Sequence, residues 1–228
     1  IKPTVWGKFL RYNYIKADLT DIQESGVYQI KYGESTSPLF RIDNHIYDRG
    51  VWQPVLEYFL PVQMCHMRVN EKYRVWHGAC HMDDAQMAPA HNHIDGYDQK
   101  EGISKYKPGE IVEGVNIGGW HDAGDFDLRI ESQAGECYIL ALAYEAFHPE
   151  LDVTSIDQIN RITEIHQADG KNDLLQQVEN GALSVVNSYL ALGRLYRGII
   201  CNGLRQYVLL GDASAMTDGK IGNDDDRW

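Results

Sequence analysis

The residues best placed to do chemistry lie together in Gly118-Gly119-Trp120-His121-Asp122-Ala123-Gly124-Asp125, where two carboxylates, an imidazole and an indole share eight positions with three glycines. Asp122 and Asp125 are three apart, so a tight turn or the first turn of a helix can aim both carboxylates to one side, with Ala123 and Gly124 leaving room between them. Like charges this close repel, which favours a bound proton or a held water. The same spacing also suits an Asp/Gly turn with Asp as a helix N-cap, so both readings stand at this level.

A second constellation is Cys65-His66 followed by Cys80-His81. Thiolates and imidazoles are the donors that tetrahedral zinc prefers, and His121 is a natural fourth ligand if the loops converge. A Cys65–Cys80 disulfide and two buried thiols are equally open readings of these cysteines. His77, His91 and His93 are spare ligand candidates, better read as solvated. Asp83-Asp84 and Asp224-Asp225-Asp226 are possible calcium donors, but neither follows the EF-hand spacing, and solvated charge is the better reading. Trp76, Trp120, Tyr97 and Tyr106 flank the polar region, and aromatic rings beside carboxylates suit the apolar faces and hydroxyl edges of a sugar. Ordinary packing is the competing account.

Composition narrows the partners. The 228 residues are 43% hydrophobic and 24% charged, with 14 Tyr and 5 Trp, which fits a packed globular chain of one or two domains. A formal net charge of −12 argues against nucleic acid and against an anionic membrane, and leaves neutral polymers open. No run has the length and apolarity of a membrane span. Ile1-Lys2-Pro3-Thr4 lacks an apolar signal core, so an export signal is expected to be removed or absent.

The elements that must position these residues follow from periodicity. Val5–Ile15, Gly26–Tyr32 and Pro38–Ile42 read as strands, too few for an independent sandwich, so residues 1–44 are expected to be the end of a β-domain. The texture changes after Asn44, and residues 51–68 carry a helical stripe of Val51, Trp52, Val55, Leu56, Phe59, Leu60, Met64 and Met67, with Pro54 in its first turn and Pro61 as a kink. Residues 69–132 show little periodicity, a sign of functional loops. A helix built on Ala134, Cys137, Tyr138, Ala141, Leu142 and Tyr144 should stop at His148-Pro149. Ile156, Ile159, Ile162 and Ile165 predict another helix, with a C-cap near Gly170. A third starts at an Asn172 or Asp173 cap and carries Leu174, Leu175, Val178, Ala182, Val185, Val186 and Tyr189.

Residues 118–125 resemble the G-G-W-H/Y-D-A-G-D signature of glycoside hydrolase family 9, the inverting cellulase family. Cys80-His81-Met82-Asp83-Asp84 and Cys65 resemble its zinc-bearing branch. Tyr28 to Tyr47 looks like the end of that branch's immunoglobulin-like domain, and Asn172–Val178 resembles its D-I/L-L-D/E-E-V/I helix. The resemblance implies a mainly α fold: residues 45–228 as the first part of an (α/α)6 barrel, preceded by the last strands of an immunoglobulin-like β-sandwich.

By the same resemblance, Asp125 is the base and Asp122 its water-holding partner, with Trp120 and Trp76 as sugar-binding walls. Cys65, Cys80, His81 and His121 are ligands of a structural zinc. The family's general acid is a glutamate further along than Trp228, so the remainder of the catalytic domain is an expected partner. The implied activity is inverting hydrolysis of β-1,4-linked glucans by a secreted, periplasmic or cell-surface enzyme. An exo-β-glucosaminidase and a non-catalytic carbohydrate-binding relative are the alternatives. Asp127 and Arg129 depart from the family's D-Y-G-K-Y-type run, and they either reshape the sugar site or pair with each other.

Overall fold

The computed structural model describes residues 1–82, 85–94, 97–122, 127–201 and 226–227, and the chain divides into two compact units, Ile1–Val55 and Leu56–Trp228. In the first unit, β1 (Thr4–Phe9) and β2 (Tyr12–Lys16) form an antiparallel hairpin. β3 (Gly26–Tyr28) pairs with β6 (Phe40–Ile42), and β4 (Lys31–Tyr32) with β5 (Ser35–Thr36). The single strand expected over 26–32 is therefore two. Between them Ile30 N–H donates to Ser37 Oγ and Ser37 N–H to Ile30 C=O, which turns the chain. None of residues 1–55 is fully buried, and Trp6, Phe9, Tyr14 and Ile15 keep apolar surface exposed.

A short helix, α1 (Gln53–Tyr58), runs into the second unit and widens into one π-helical turn at Phe59–Gln63 before Met64 turns extended. Pro61 explains the widening: it has no N–H to donate, and its ring crowds the carbonyl four residues back. Strands follow where the sequence showed no periodicity: β7 (Arg68–Glu71), β8 (Arg74–His77), β9 (His91–Ile94), β10 (Tyr97–Gln99) and β11 (Leu128–Arg129). Then come α2 (Ile130–Phe147), β12 (Thr154–Asp157), β13 (Ile162–Ile165), α3 (Asp173–Leu192), β14 (Gly198–Cys201) and β15 (Asp226–Arg227). One mixed sheet has the order β12-β13-β7-β8, with β13 parallel to β7. A second has the order β11-β14-β15.

Two expectations are corrected here. The helix expected over 154–166 is the antiparallel hairpin β12–β13. Isoleucines three apart fit a helix, yet β-branched side chains on Ile156, Ile162 and Ile165 fit strands as well. Asp157 Oδ1 accepts from the N–H groups of Ile159 and Asn160, which closes the turn and leaves Ile159 93% exposed. The described residues are also mixed α and β rather than mainly α. Their long helices are α2 and α3, packed on each other, and the other helix pairs of an (α/α)6 barrel are not among them.

The helix ends follow local chemistry. Asn172 caps α3, its side chain accepting from Leu174 and Leu175 N–H. His148 and Gly193 close α2 and α3 in left-handed conformations. The face that α3 buries is not the apolar one expected. Asp173, Gln176, Gln177, Asn180, Ser184 and Ser188 are inside, while Leu175, Val186 and Tyr189 are partly exposed. The buried stripe lies against loop backbone, which requires polar partners.

Trp120, fully buried, sits where α2 and α3 meet, next to Leu60, Met64, Met67, Val69, Ile156 and Ile165. Its ring lies over Gly181 of α3, where an added Cβ would collide with the indole and with Cys137 Sγ of α2. Gly181→Ala should therefore lower stability by about 1–3 kcal/mol through overpacking. Gly135→Ala, in α2 with nothing within 4 Å of the new methyl, should raise it by up to about 1 kcal/mol. Chemical denaturation of both variants checks the pair, and equal shifts would refute this packing.

Candidate functional site

The segment Gly118–His121 is buried backbone held from two sides. On one side it meets the end of the π-helical turn: His121 N–H donates to Gln63 C=O at 2.7 Å, and Cys65 N–H to Gly119 C=O at 3.0 Å. On the other side it meets the helices. Gly119 N–H donates to Asn180 C=O at 3.0 Å, and Asn180 Nδ2 donates back to Gly119 C=O at 3.1 Å. Gln133 of α2 takes both polar groups of Trp120, accepting its N–H at 2.8 Å and donating to its carbonyl at 2.7 Å. The indole N–H reaches Gln177 of α3 at 3.2 Å.

The two glycines are demanded by this sandwich. Gly118 and Gly119 have φ of 69° and 92°, and a Cβ on Gly119 would stand 2.9 Å from Gln133 Oε1, while one on Gly118 would strike the Asn180 carbonyl. Close approach of the loop to both helices fixes these positions.

The clamp brings Cys65, Cys80, His81 and His121 together. All four are buried, and one donor atom from each lies within 4.8 Å of the others. Cys65 Sγ is 3.4 Å from Cys80 Sγ, a non-bonded distance, and 2.9 Å from His81 Nδ1. Cys80 Sγ is 3.3 Å from His121 Nε2. A tetrahedral metal with bonds of about 2.0–2.3 Å has ligand edges of roughly 3.3–3.8 Å, and two of these separations, 3.3 and 3.4 Å, fall within that range. Burial alone would push the Cys80 thiol up. The hydrogen bond with Cys65 and the neighbouring His121 and His81 rings outweigh it and hold the thiol well below its ordinary range, as a metal ligand requires. Donor chemistry and geometry both fit a closed four-ligand metal site.

His66, adjacent in sequence, stands apart from the four. It is buried and its Nδ1–H donates to Gly118 C=O at 2.7 Å. Burial, with His81 nearby, pushes it down to about 3, so it remains a neutral donor bracing the glycine pair.

Asp122 follows directly. Its N–H donates to Asp127 C=O at 2.9 Å, closing a neck between residues 122 and 127. Its Oδ2 receives Arg129 Nε at 2.9 Å, and Arg129 Nη2 reaches Oδ2 of the fully buried Asp127 at 2.9 Å. The expected Asp127–Arg129 pairing thus exists, and the same guanidinium extends to Asp122. Two turns into α2, Glu136 adds a third carboxyl. Burial first, and then the charge of Asp122, push it up to about 7.

The remaining sequence candidates fall as follows. Asp125, with Ala123, Gly124 and Phe126, lies outside the described residues, as do Asp83, Asp84, Asp224 and Asp225. Trp120 is 0% exposed, which corrects its expected part as a sugar-binding wall: burial under α2 and α3 makes it the anchor of the loop. Trp76 on β8 is 44% exposed, its indole N–H bonded to Glu71 and one face covered by Arg74. His77, His91 and His93 lie on β8 and β9. Tyr106 packs against the core that holds Cys65 and Cys80. Sequence reasoning missed Gln133, Asn180 and Gln177, whose signal was a polar side chain where an apolar one would otherwise pack; it grouped His66 with the metal donors, whereas His66 braces Gly118, and it assigned Glu136 no role.

No protein-family model matches the chain. Endoglucanase D of Acetivibrio thermocellus is 26% identical over 145 residues, covering 62% of this chain and 20% of that protein, so the chain spans about a fifth of the curated relatives it matches. Among solved structures, a metagenome-derived glycoside hydrolase family 9 endoglucanase aligns with a TM-score of 0.58 and 22% identity, covering 83% of this chain and 31% of the other. A Zn-binding triple mutant of a family 9 endoglucanase aligns with a TM-score of 0.56 and 23% identity, covering 88% and 35%. In sequence and in fold, the chain is similar to the endoglucanases of glycoside hydrolase family 9.

Proposed function

We propose that this chain supplies the water-activating half of an inverting glycoside hydrolase that cleaves β-1,4-linked glucans. The observation that carries the reading is the placement of Asp122: ion-paired, 17% exposed, bonded through its backbone to Asp127 and directly following a buried Cys2His2 cluster. The signature GGWHDAGD around it and the likeness to endoglucanases support the same reading.

In this mechanism Asp125 removes a proton from a water that Asp122 helps to hold. The water oxygen bonds to the anomeric carbon on the face opposite the leaving oxygen. The glycosidic C–O bond breaks, and a glutamate outside this chain protonates the departing oxygen. Acid and base in such enzymes stand roughly 6.5–9.5 Å apart, leaving space for the water. Zinc would be held by Cys65, Cys80, His81 and His121. With all four positions filled by protein it would brace the loop and leave water activation to the carboxylates.

Residues 1–44 are proposed as the end of an immunoglobulin-like domain, whose uncovered apolar sheet side chains suit packing against further strands. Exposed Tyr138, Ile139 and Leu142 of α2 and Leu190 of α3 suit cover by the remaining helices of a barrel. The enzyme would act outside the cytoplasm on a neutral polymer, as the acidic charge of the chain allows. One observation favours a glucosaminidase as second reading: the Asp122 and Asp127 carboxylates share one guanidinium and Asp122 also acts on the Glu136 carboxyl, an acidic grouping that suits a cationic sugar.

Release of reducing ends from cellulose, xyloglucan and chitosan oligosaccharides by the full-length protein tests the activity. Asp125→Ala should lower turnover of the preferred substrate by about 10²–10⁴-fold. NMR of the first product should show the α-anomer; a β-anomer, or unchanged turnover in Asp125→Ala, refutes the reading. Metal analysis should find one zinc per chain, lost in Cys80→Ser together with thermal stability. A metal-free protein with undiminished stability would remove the zinc.

A further inference from the structure

We propose that Arg129 is a positioning residue that ties Asp122 to Asp127, and so fixes the orientation of the Asp122 carboxylate. This rests on the reading of Asp122 and Asp125 as the water-activating pair.

The argument is geometric. Residues 122 and 127 are joined through their backbones, Asp122 N–H to Asp127 C=O. Arg129 duplicates that closure with side chains, Nε on Asp122 and Nη2 on Asp127, both at 2.9 Å. Two nitrogens of one rigid, planar group therefore set the distance between two carboxylates across the neck. The guanidinium is itself fixed: Asp127 is fully buried and Arg129 is 17% exposed on its side chain. Its backbone is paired in β11 opposite Gly198, immediately before α2 begins. Asp122 is thereby tied to a sheet and a helix start.

A Coulombic reason requires the cation as well. Its charge offsets the two carboxylates it bonds, the fully buried Asp127 and the 17%-exposed Asp122, whose own charge acts on the Glu136 carboxyl.

Lysine keeps the charge but replaces the fork with a single ammonium, which cannot span both carboxylates in the same geometry. In the full-length protein acting on cello-oligosaccharides, Arg129→Lys should lower kcat by about 10–100-fold, the cost of slight misplacement, with KM changed by no more than about twofold. Asp127→Asn should give a loss of the same kind, and combining the two should cost little more than either alone. Millimolar guanidinium should restore part of the rate to Arg129→Ala.

An unchanged kcat in Arg129→Lys overturns the proposal. So does a loss in Arg129→Ala that guanidinium does not relieve while the zinc content and unfolding midpoint fall in parallel, which marks a purely structural part. A wild-type protein without turnover, or one indifferent to Asp125→Ala, refutes the functional reading instead. The pinning is then judged by an unfolding cycle of Asp122→Asn and Arg129→Gln. Coupled effects uphold it and additive effects overturn it.

Discussion

The structure depends on one exchange of hydrogen bonds, that between the Gln133 amide and the backbone of Trp120. A single side chain satisfies both the N–H and the C=O of a fully buried residue at 2.8 and 2.7 Å. Unpaired, each of those groups would cost roughly 1–3 kcal/mol in desolvation. Gln133 therefore makes it possible for a length of loop to pass through the interior between helices and sheet. The indole beyond it fills the space over Gly181, so that polar satisfaction and apolar packing fix the same residue. Asp122, two residues on, starts from that support.

From that anchor, rigidity spreads in both directions along the chain. Toward the N-terminal side, Asn180 and His66 hold Gly119 and Gly118, and the glycines let the loop come close enough for those bonds to form. Toward the C-terminal side, His121 joins the cysteine and histidine cluster, and Asp122 joins the arginine. The cluster links loops distant in sequence, with Cys65, Cys80 and His121 drawn into one buried space. Bonds to a metal there would join three separate connections into one unit, because each ligand is bound to a common centre.

Much of this was legible in the sequence, for identifiable reasons. Capping of α3 by Asn172, the stop at His148-Pro149 and the grouping of Cys65, Cys80, His81 and His121 depend on residue identity, which a sequence displays. The isoleucine run at 156–165 misled because a period of three is met by a helix and, equally, by two short strands around an Asp157 turn. The buried face of α3 misled more instructively. An apolar stripe at Leu175, Val186 and Tyr189 was visible, but the helix turns Gln177, Asn180 and Ser184 inward because its neighbour is a loop backbone rather than another apolar surface. Periodicity finds the apolar side of a helix, whereas hydrogen-bond demand from a remote segment decides which side is buried first.

That demand also separates the parts of the eight-residue signature. Gly118, Gly119 and Trp120 answer to helices α2 and α3, through a collision-free approach, a pair of backbone bonds and a filled space. His121 answers to the thiols. Asp122 answers to Arg129, a residue of the short strand that leads into α2. Each of these partners comes from a different element, so the backbone of residues 118–122 is fixed from several independent directions before any substrate arrives. The Asp122 carboxylate held this way is ordered in advance, and it is this ordering, more than its acidity, that an aspartate in a flexible turn would lack.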